Sequence, residues 1–281
     1  MSTQQTIRVG LGQIRVDGGE PQANLARAVA AIVALANDGC ELVVLPECLD
    51  FGWTHPSARE AAQPIPGPHV EQLASAADKH QVYVAAGLVE RAGDKLFNAA
   101  VLIDPRGKIV LHHRKINELD IGLDLYSVGD RLGVVETPLG KIGLNICADN
   151  FSDSLAMGHV LARMGAQLIV SPSAWAVPAE HDNSGEPYGQ LWRDAYGSLA
   201  TLYDLTVIGV SNVGWINGGP WRGRKCIGCS LVMGPGGEIL AQGPYGVQAE
   251  ANLAVEVQPR PAIARGADIA PILRSRGYVG P

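Results

Sequence analysis

The run Leu42-Val43-Val44-Leu45-Pro46-Glu47 constrains this 281-residue chain more than any other segment. Four consecutive apolar residues, two of them β-branched, read as a short strand buried on both faces. A proline then blocks its extension, and a carboxylate follows at once. Comparable strand signals fall at 6–13, 82–90, 97–103, 109–114, 141–146, 168–171, 206–211, 230–233, 239–241 and 253–257. Helical patterns lie among them at 22–37, 69–80, 154–164 and 190–203, the first with Pro21 at its start. Asp104-Pro105-Arg106-Gly107 and Gly234-Pro235-Gly236-Gly237 are turn signals that pair their flanking strands as hairpins. Crossover helices mixed with hairpins imply an α/β fold, with a two-sheet core and helices outside.

Composition narrows the class. Hydrophobic residues make up 47% and charged residues 18% of the chain, enough apolar surface for a sizeable core. Without a Pro/Ser-rich linker, repeat or composition break, residues 1–281 read as one domain, with an irregular tail from about 258 that contains Pro259, Pro261, Arg265, Arg274 and Arg276. Net charge is −6, and the only basic cluster is Arg222, Arg224 and Lys225, so a nucleic-acid partner is not expected. No apolar run approaches the ~18 residues of a membrane span, and the N-terminus lacks a signal-peptide pattern. The five cysteines, Cys40, Cys48, Cys147, Cys226 and Cys229, are odd in number and suit free thiols in a reducing, cytoplasmic setting. Cys226-x-x-Cys229 has redox or metal spacing but no second ligand pair, so a structural role is expected and no metal or cofactor is required.

Three strand ends carry groups with chemistry. Glu47 follows the 42–45 strand, where open α/β sheets form their sites; in a partly apolar pocket it would have a raised pKa and serve as a base. Lys115 follows the 109–114 strand and is either a surface charge or a fixed cation for developing negative charge. Cys147 ends the 141–146 strand and is either a packing residue or a nucleophile needing a base or nearby cation.

Together the segments Leu45-Pro46-Glu47, Arg114-Lys115-Ile116 and Gly143-x-x-Ile146-Cys147-x-Asp149 resemble, in this chain order, the signatures of the nitrilase, or carbon–nitrogen hydrolase, superfamily. The likeness spans roughly residues 6–257. It implies a four-layer α-β-β-α sandwich and assembly into homodimers or larger homo-oligomers. It also implies a thiol hydrolase that cleaves a non-peptide C–N bond of a small amide through a Cys thioester, releasing ammonia or an amine. In that scheme Glu47 takes the thiol proton and later activates water, and Lys115 and the Ala148 N–H stabilise the tetrahedral oxyanion. The neighbouring Lys⁺ would lower the thiol pKa. A nitrile or a carbamoyl amine is an alternative substrate, and a catalytically idle binding or scaffold member is the non-enzymatic alternative.

Two departures from the family pattern matter. The second active-site acid expected between the Lys and the Cys is not at its usual place; Asp124 is favoured and Glu118 is the other candidate. An Arg three or four residues after the Cys, which grips a substrate carboxylate in several relatives, is replaced by Asn150 and Phe151, leaving Arg193 or Arg222 as distant candidates. Among the tryptophans Trp53, Trp175, Trp192, Trp215 and Trp221, Trp175 is the best candidate for the pocket. The loops at 50–64, 116–132 and 176–188 would set its shape.

Overall fold

The computed structural model describes residues 5–263, together with 275 and 277. In chain order the elements are β1 (Ile7–Gln13), α1 (Pro21–Asn37), β2 (Leu42–Val44), α2 (Ala58–Ala61), α3 (Pro68–His80), β3 (Tyr83–Ala92), β4 (Lys95–Ile103), β5 (Ile109–Arg114) and β6 (Val134–Thr137). Then follow β7 (Gly140–Leu144), α4 (Ala156–Arg163), β8 (Leu168–Ser173), β9 (Ala176–Val177), α5 (Gln190–Tyr203), β10 (Thr206–Ser211), β11 (Val213–Trp215), β12 (Lys225–Ile227), β13 (Leu231–Met233), β14 (Ile239–Gln242) and β15 (Ala251–Val257).

Two six-stranded sheets carry the fold, in the orders β15-β1-β2-β3-β4-β5 and β14-β13-β10-β8-β7-β6. Each has three parallel strands at its centre, β1-β2-β3 and β7-β8-β10, with antiparallel strands on the flanks. The β2 segment shows how a wholly apolar run is used. Leu42 and Val44 join the core that also holds Leu144, Val170 and Ile208 of the second sheet. Val43 and Leu45 point the other way, into a core with Leu25, Ile32 and Leu35 of α1 and Leu73 of α3. Period-2 alternation thus serves two layers at once. Helices α4 and α5 cover the second sheet, with Leu161, Tyr196 and Leu199 buried beneath them. The result is the expected four-layer α-β-β-α sandwich.

The strands that sequence patterning missed are short or half-exposed. β6 is an edge strand whose residues are only partly buried. β9, β11 and β12 form a separate three-stranded sheet from pieces of two or three residues, too short for a period to register. β8 runs on to Ser173 through Pro172, where a break was expected. Its neighbour β7 pairs with it only as far as Val170, so Pro172 is paired on the β10 side alone and no missing N–H disrupts a two-sided ladder.

Residues 258–263 carry no regular structure; of the tail from about 258, Arg265, Arg274 and Arg276 lie outside the described residues. Among the described residues no helix is long and apolar enough to cross a membrane. Cys226 and Cys229 are buried free thiols, and no cluster of His, Cys, Asp and Glu among the described residues could hold a metal ion. Burial pushes the two thiols up to about 12 and about 11, opposite to what redox or metal chemistry needs.

Candidate active site

β2, β5 and β7 end at the same rim of the two packed sheets, and their next residues converge. After β2, Glu47 is held by its backbone: its N–H donates to the Ser173 carbonyl at 3.1 Å, tying the first sheet to the end of β8. Gly87 of β3 lies against it so closely that an added Cβ would sit 2.5 Å from the Glu47 Cα, so only glycine fits there. The side chain is 1% exposed. Its Oε1 accepts from Lys115 Nζ at 2.7 Å and from Asn98 Nδ2, a residue of β4, at 2.6 Å.

Lys115 continues β5 by donating its N–H to the Asn98 carbonyl at 2.8 Å. Its ammonium is 2% exposed, lies 3.6 Å from Glu118 Oε2 and stands 5.9 Å from the centre of the Trp53 ring. Burial alone would lower its pKa, but the Glu118 and Glu47 carboxylates outweigh it and hold the amine well above the usual lysine range. Lys115 is therefore a fixed cation.

Of the two candidate second acids, Glu118 stands beside Lys115 and Asp124 does not. Asp124 is exposed on the loop, and among the described residues its backbone carbonyl alone is engaged, by Arg59. Glu118 is buried, and a Cβ on residue 122 would come within 2.8 Å of its Oε2. Gly122 thus leaves the room that Glu118 occupies, reaching in from a position closer to Lys115. Burial, only partly offset by Lys115, pushes the Glu118 carboxyl up to about 7.

Cys147 begins a 3₁₀ turn, Cys147–Asn150, with φ at +41°. Such a conformation is strained for a side-chain-bearing residue and persists only when neighbours over-determine it. Those neighbours are a buried polar cluster. The Cys147 N–H donates to Ser171 Oγ at 3.1 Å, Asn150 Nδ2 donates to the same oxygen at 3.0 Å, and Asn145 and Asn150 exchange amide hydrogen bonds at 2.7 and 3.0 Å. Asn150, which stands where some relatives carry a substrate-binding Arg, is consumed in this scaffold. Burial, with Glu47 adding to it, raises the thiol well above the ordinary cysteine range despite Lys115. Lys115 pulls it down, as expected of a neighbouring cation, but burial dominates, so the thiol proton must pass to a base as sulfur attacks.

Asp149 locks the turn to the lysine loop. Its Oδ1 accepts from the N–H groups of Ile116 at 3.1 Å and Asn117 at 2.8 Å; its Oδ2 accepts from Ile146 N–H at 2.9 Å and His113 Nε2 at 2.8 Å. Burial pushes the Asp149 carboxyl up, but His113 and the amide donors outweigh this and hold it below the usual aspartate range. His113 also meets the Arg131 carbonyl through Nδ1 at 3.1 Å, so both its ring nitrogens face oxygen acceptors. Asn98, His113 and Ser171 were not singled out in the sequence. Nothing in their local pattern marks them, since their roles arise between strands far apart in the chain.

A cavity of about 200 Å³ opens over Glu47, Lys115, Cys147 and Ala148. The Ala148 N–H, beside the thiol, is spent on no acceptor among the described residues. Trp175 lines the cavity, positioned by its backbone N–H bond to Ser211 Oγ at 2.8 Å. Trp53, Trp192 and Trp221 line it too, whereas Trp215 is 52% exposed and lies elsewhere. Arg193 and Arg222 do not line it.

A fold of two packed sheets with a Cys, a Lys and a Glu buried at one sheet rim defines a class, and the whole-chain comparison agrees with it. Residues 8–258 match the carbon–nitrogen hydrolase family model, and the chain belongs to that family. It is similar to omega-amidase NIT2 of Danio rerio, 34% identical over 251 residues that cover 84% of this chain and 82% of the relative. The corresponding protein of Mus musculus is 31% identical, with 84% of each chain covered. Among solved structures, a carbon–nitrogen hydrolase from Helicobacter pylori G27 superposes with a TM-score of 0.80 at 24% identity, covering 91% of this chain and 90% of that one. Saccharomyces cerevisiae Nit3, a member of branch 10 of the nitrilase superfamily, gives 0.75 at 25%, covering 91% of each.

Proposed function

We propose that this protein is an amidase that hydrolyses a small amide through a covalent thioester on Cys147. One observation carries the reading: Glu47, Lys115 and Cys147 converge, almost wholly buried, at the floor of the cavity, with the Glu47 carboxylate bonded to the Lys115 ammonium. Glu47 accepts the thiol proton as sulfur adds to the amide carbon. The oxygen then carries negative charge, for which the Lys115 ammonium and the free Ala148 N–H are the preorganised donors. Glu47 returns the proton to the departing nitrogen, ammonia or an amine leaves, and the thioester remains. Water, deprotonated by Glu47, adds to the thioester and releases the acid and the thiol. A thiol raised by burial suits this scheme, because sulfur charges only as Glu47 takes its proton. Glu118 serves as the second acid, setting the field around Lys115. No metal enters any step.

Mass spectrometry of the protein quenched during turnover tests the reading. An acyl adduct on Cys147 with amides, and loss of ammonia release in Cys147→Ala, are expected. Turnover of nitriles alone would instead make it a nitrilase, carbon dioxide released with ammonia a carbamoyl amine hydrolase, and full activity in Cys147→Ala would reduce the cluster to a scaffold. The exposed apolar side chains of Val160 on α4, of Met164 just after it and of Leu202 on α5 favour self-association, which sedimentation would detect as a homodimer or larger species.

A further inference from the structure

We infer that the site accepts amides whose acyl group is small, uncharged and apolar, with a flat aromatic group fitting best, and that it rejects ω-amides, which carry a carboxylate at the end opposite the amide. This inference rests on the reading of Cys147 as the nucleophile of an amidase. The reacting groups occupy one end of the cavity, and the rest of its wall is aromatic. Trp175 and Trp192 stack at 4.8 Å between ring centres with planes 20° apart. Trp53 meets Trp221 edge-on at 4.9 Å. Phe151 packs on Trp192 at 5.4 Å, and Tyr188 turns its hydroxyl away from solvent to accept from the Trp192 indole at 2.8 Å. Flat faces of this kind favour a flat apolar guest.

Charge points the same way. Among the described residues, Glu47 and Lys115 are the only charged ones that line the cavity. The lysine already faces two carboxylates, at 2.7 and 3.6 Å, so it offers no free counter-charge to a third. Of the described arginines next to lining residues, Arg193 bonds Gln190 Oε1 and the Tyr188 carbonyl, Arg224 lies over the Trp221 ring, 4.3 Å from its centre, and Arg222 is exposed; none of the three lines the cavity. A substrate carboxylate would enter apolar surroundings unpaired, near a site where acids outnumber bases, and lose its hydration without compensation. The volume sets an upper limit on size: about 200 Å³ falls below the roughly 300–1,000 Å³ of sites for drug-sized ligands.

The test compares kcat/KM for phenylacetamide, hexanamide and glutaramate, with ammonia release as the readout. Phenylacetamide is expected to lead, hexanamide to follow, and glutaramate to trail phenylacetamide by about 100-fold or more, given an unpaired buried charge. Glutaramate turned over as well as hexanamide or better would overturn the inference and leave the amidase reading standing. No turnover of any of the three would instead remove the amidase reading, and the inference with it. Leu191, 47% exposed at the cavity wall, offers a gain-of-function arm. Leu191→Arg places a cation there without burying it and is expected to narrow the phenylacetamide-to-glutaramate ratio by about tenfold, one charge-assisted hydrogen bond's worth. An unchanged ratio in a Leu191→Arg protein that still hydrolyses phenylacetamide would show that missing positive charge is not what excludes the carboxylate.

Discussion

Replacing Asp149 by Asn tests how the strained Cys147 turn is held. The native carboxylate accepts four N–H donors, two on each oxygen. An amide keeps one accepting oxygen and must turn its NH₂ toward the other two donors. If the NH₂ faces Ile116 and Asn117, both backbone N–H groups lose their acceptor. If it faces Ile146 and His113, the Nδ1–H tautomer of the imidazole can accept from the amide through Nε2 while Nδ1 donates to the Arg131 carbonyl. The Ile146 N–H alone is then orphaned. This cheaper orientation forfeits a hydrogen bond to a charged acceptor, about 1.5–3 kcal/mol, and buries an unsatisfied donor, about 1–3 kcal/mol. The expected loss is about 2.5–6 kcal/mol, or roughly 5–24 °C in Tm at about 2–4 °C per kcal/mol for a large domain. Ile146 directly precedes the nucleophile, so the slack falls on the sulfur, and kcat should drop about 100-fold through lost attack geometry. Scanning calorimetry and steady-state ammonia release measure the two effects. A Tm and kcat both unchanged from the native protein would refute the claim that Asp149 holds the turn.

Other outcomes follow from the same geometry. Lys115→Met leaves Glu47 and Glu118 as buried carboxylates without their cation, which should cost about 3–5 kcal/mol in urea unfolding and about 10³-fold in kcat. Glu118 binds its proton more tightly folded, at about 7, than unfolded, at about 4.3. Its contribution is therefore favourable below that unfolded value and is lost as pH rises through about 7. Glu118→Gln should thus gain stability relative to the native protein between pH 5 and 8, on the order of 3 kcal/mol; an equal difference at both pH values would count against it. Glu90 behaves oppositely. It is held down to about 2 by Arg114 and His112 against the opposing effect of burial, so its contribution is complete above about pH 4.5 and is lost as pH falls through about 2. Glu90→Gln should accordingly destabilise at pH 7 and converge with the native protein in strong acid, as followed by circular dichroism. Leu144→Ala, in the core between the sheets, should cost about 2–5 kcal/mol by the cavity it leaves.

Sequence alone was sufficient for whatever depends on local pattern. Four apolar residues in a row at Leu42–Leu45 can satisfy both faces only between two layers, and a proline and an acid placed straight after them mark a strand end. The same logic located Lys115 and Cys147, and the order of the three signatures supplied the family. The tertiary structure decided what depends on through-space neighbours. Asp124 was favoured over Glu118 because of its place in the chain, yet Gly122 leaves the space that Glu118 fills. Lys115 lowers the thiol as expected, but burial and a neighbouring carboxylate outweigh it, and both are properties of packing. Asn98, His113 and Ser171 reach the site from β4, β5 and β8, and the aromatic walls from several separate segments. A hydrogen bond or a ring contact across such separations leaves no period or spacing in the chain, because only the closing of the two sheets brings its partners together.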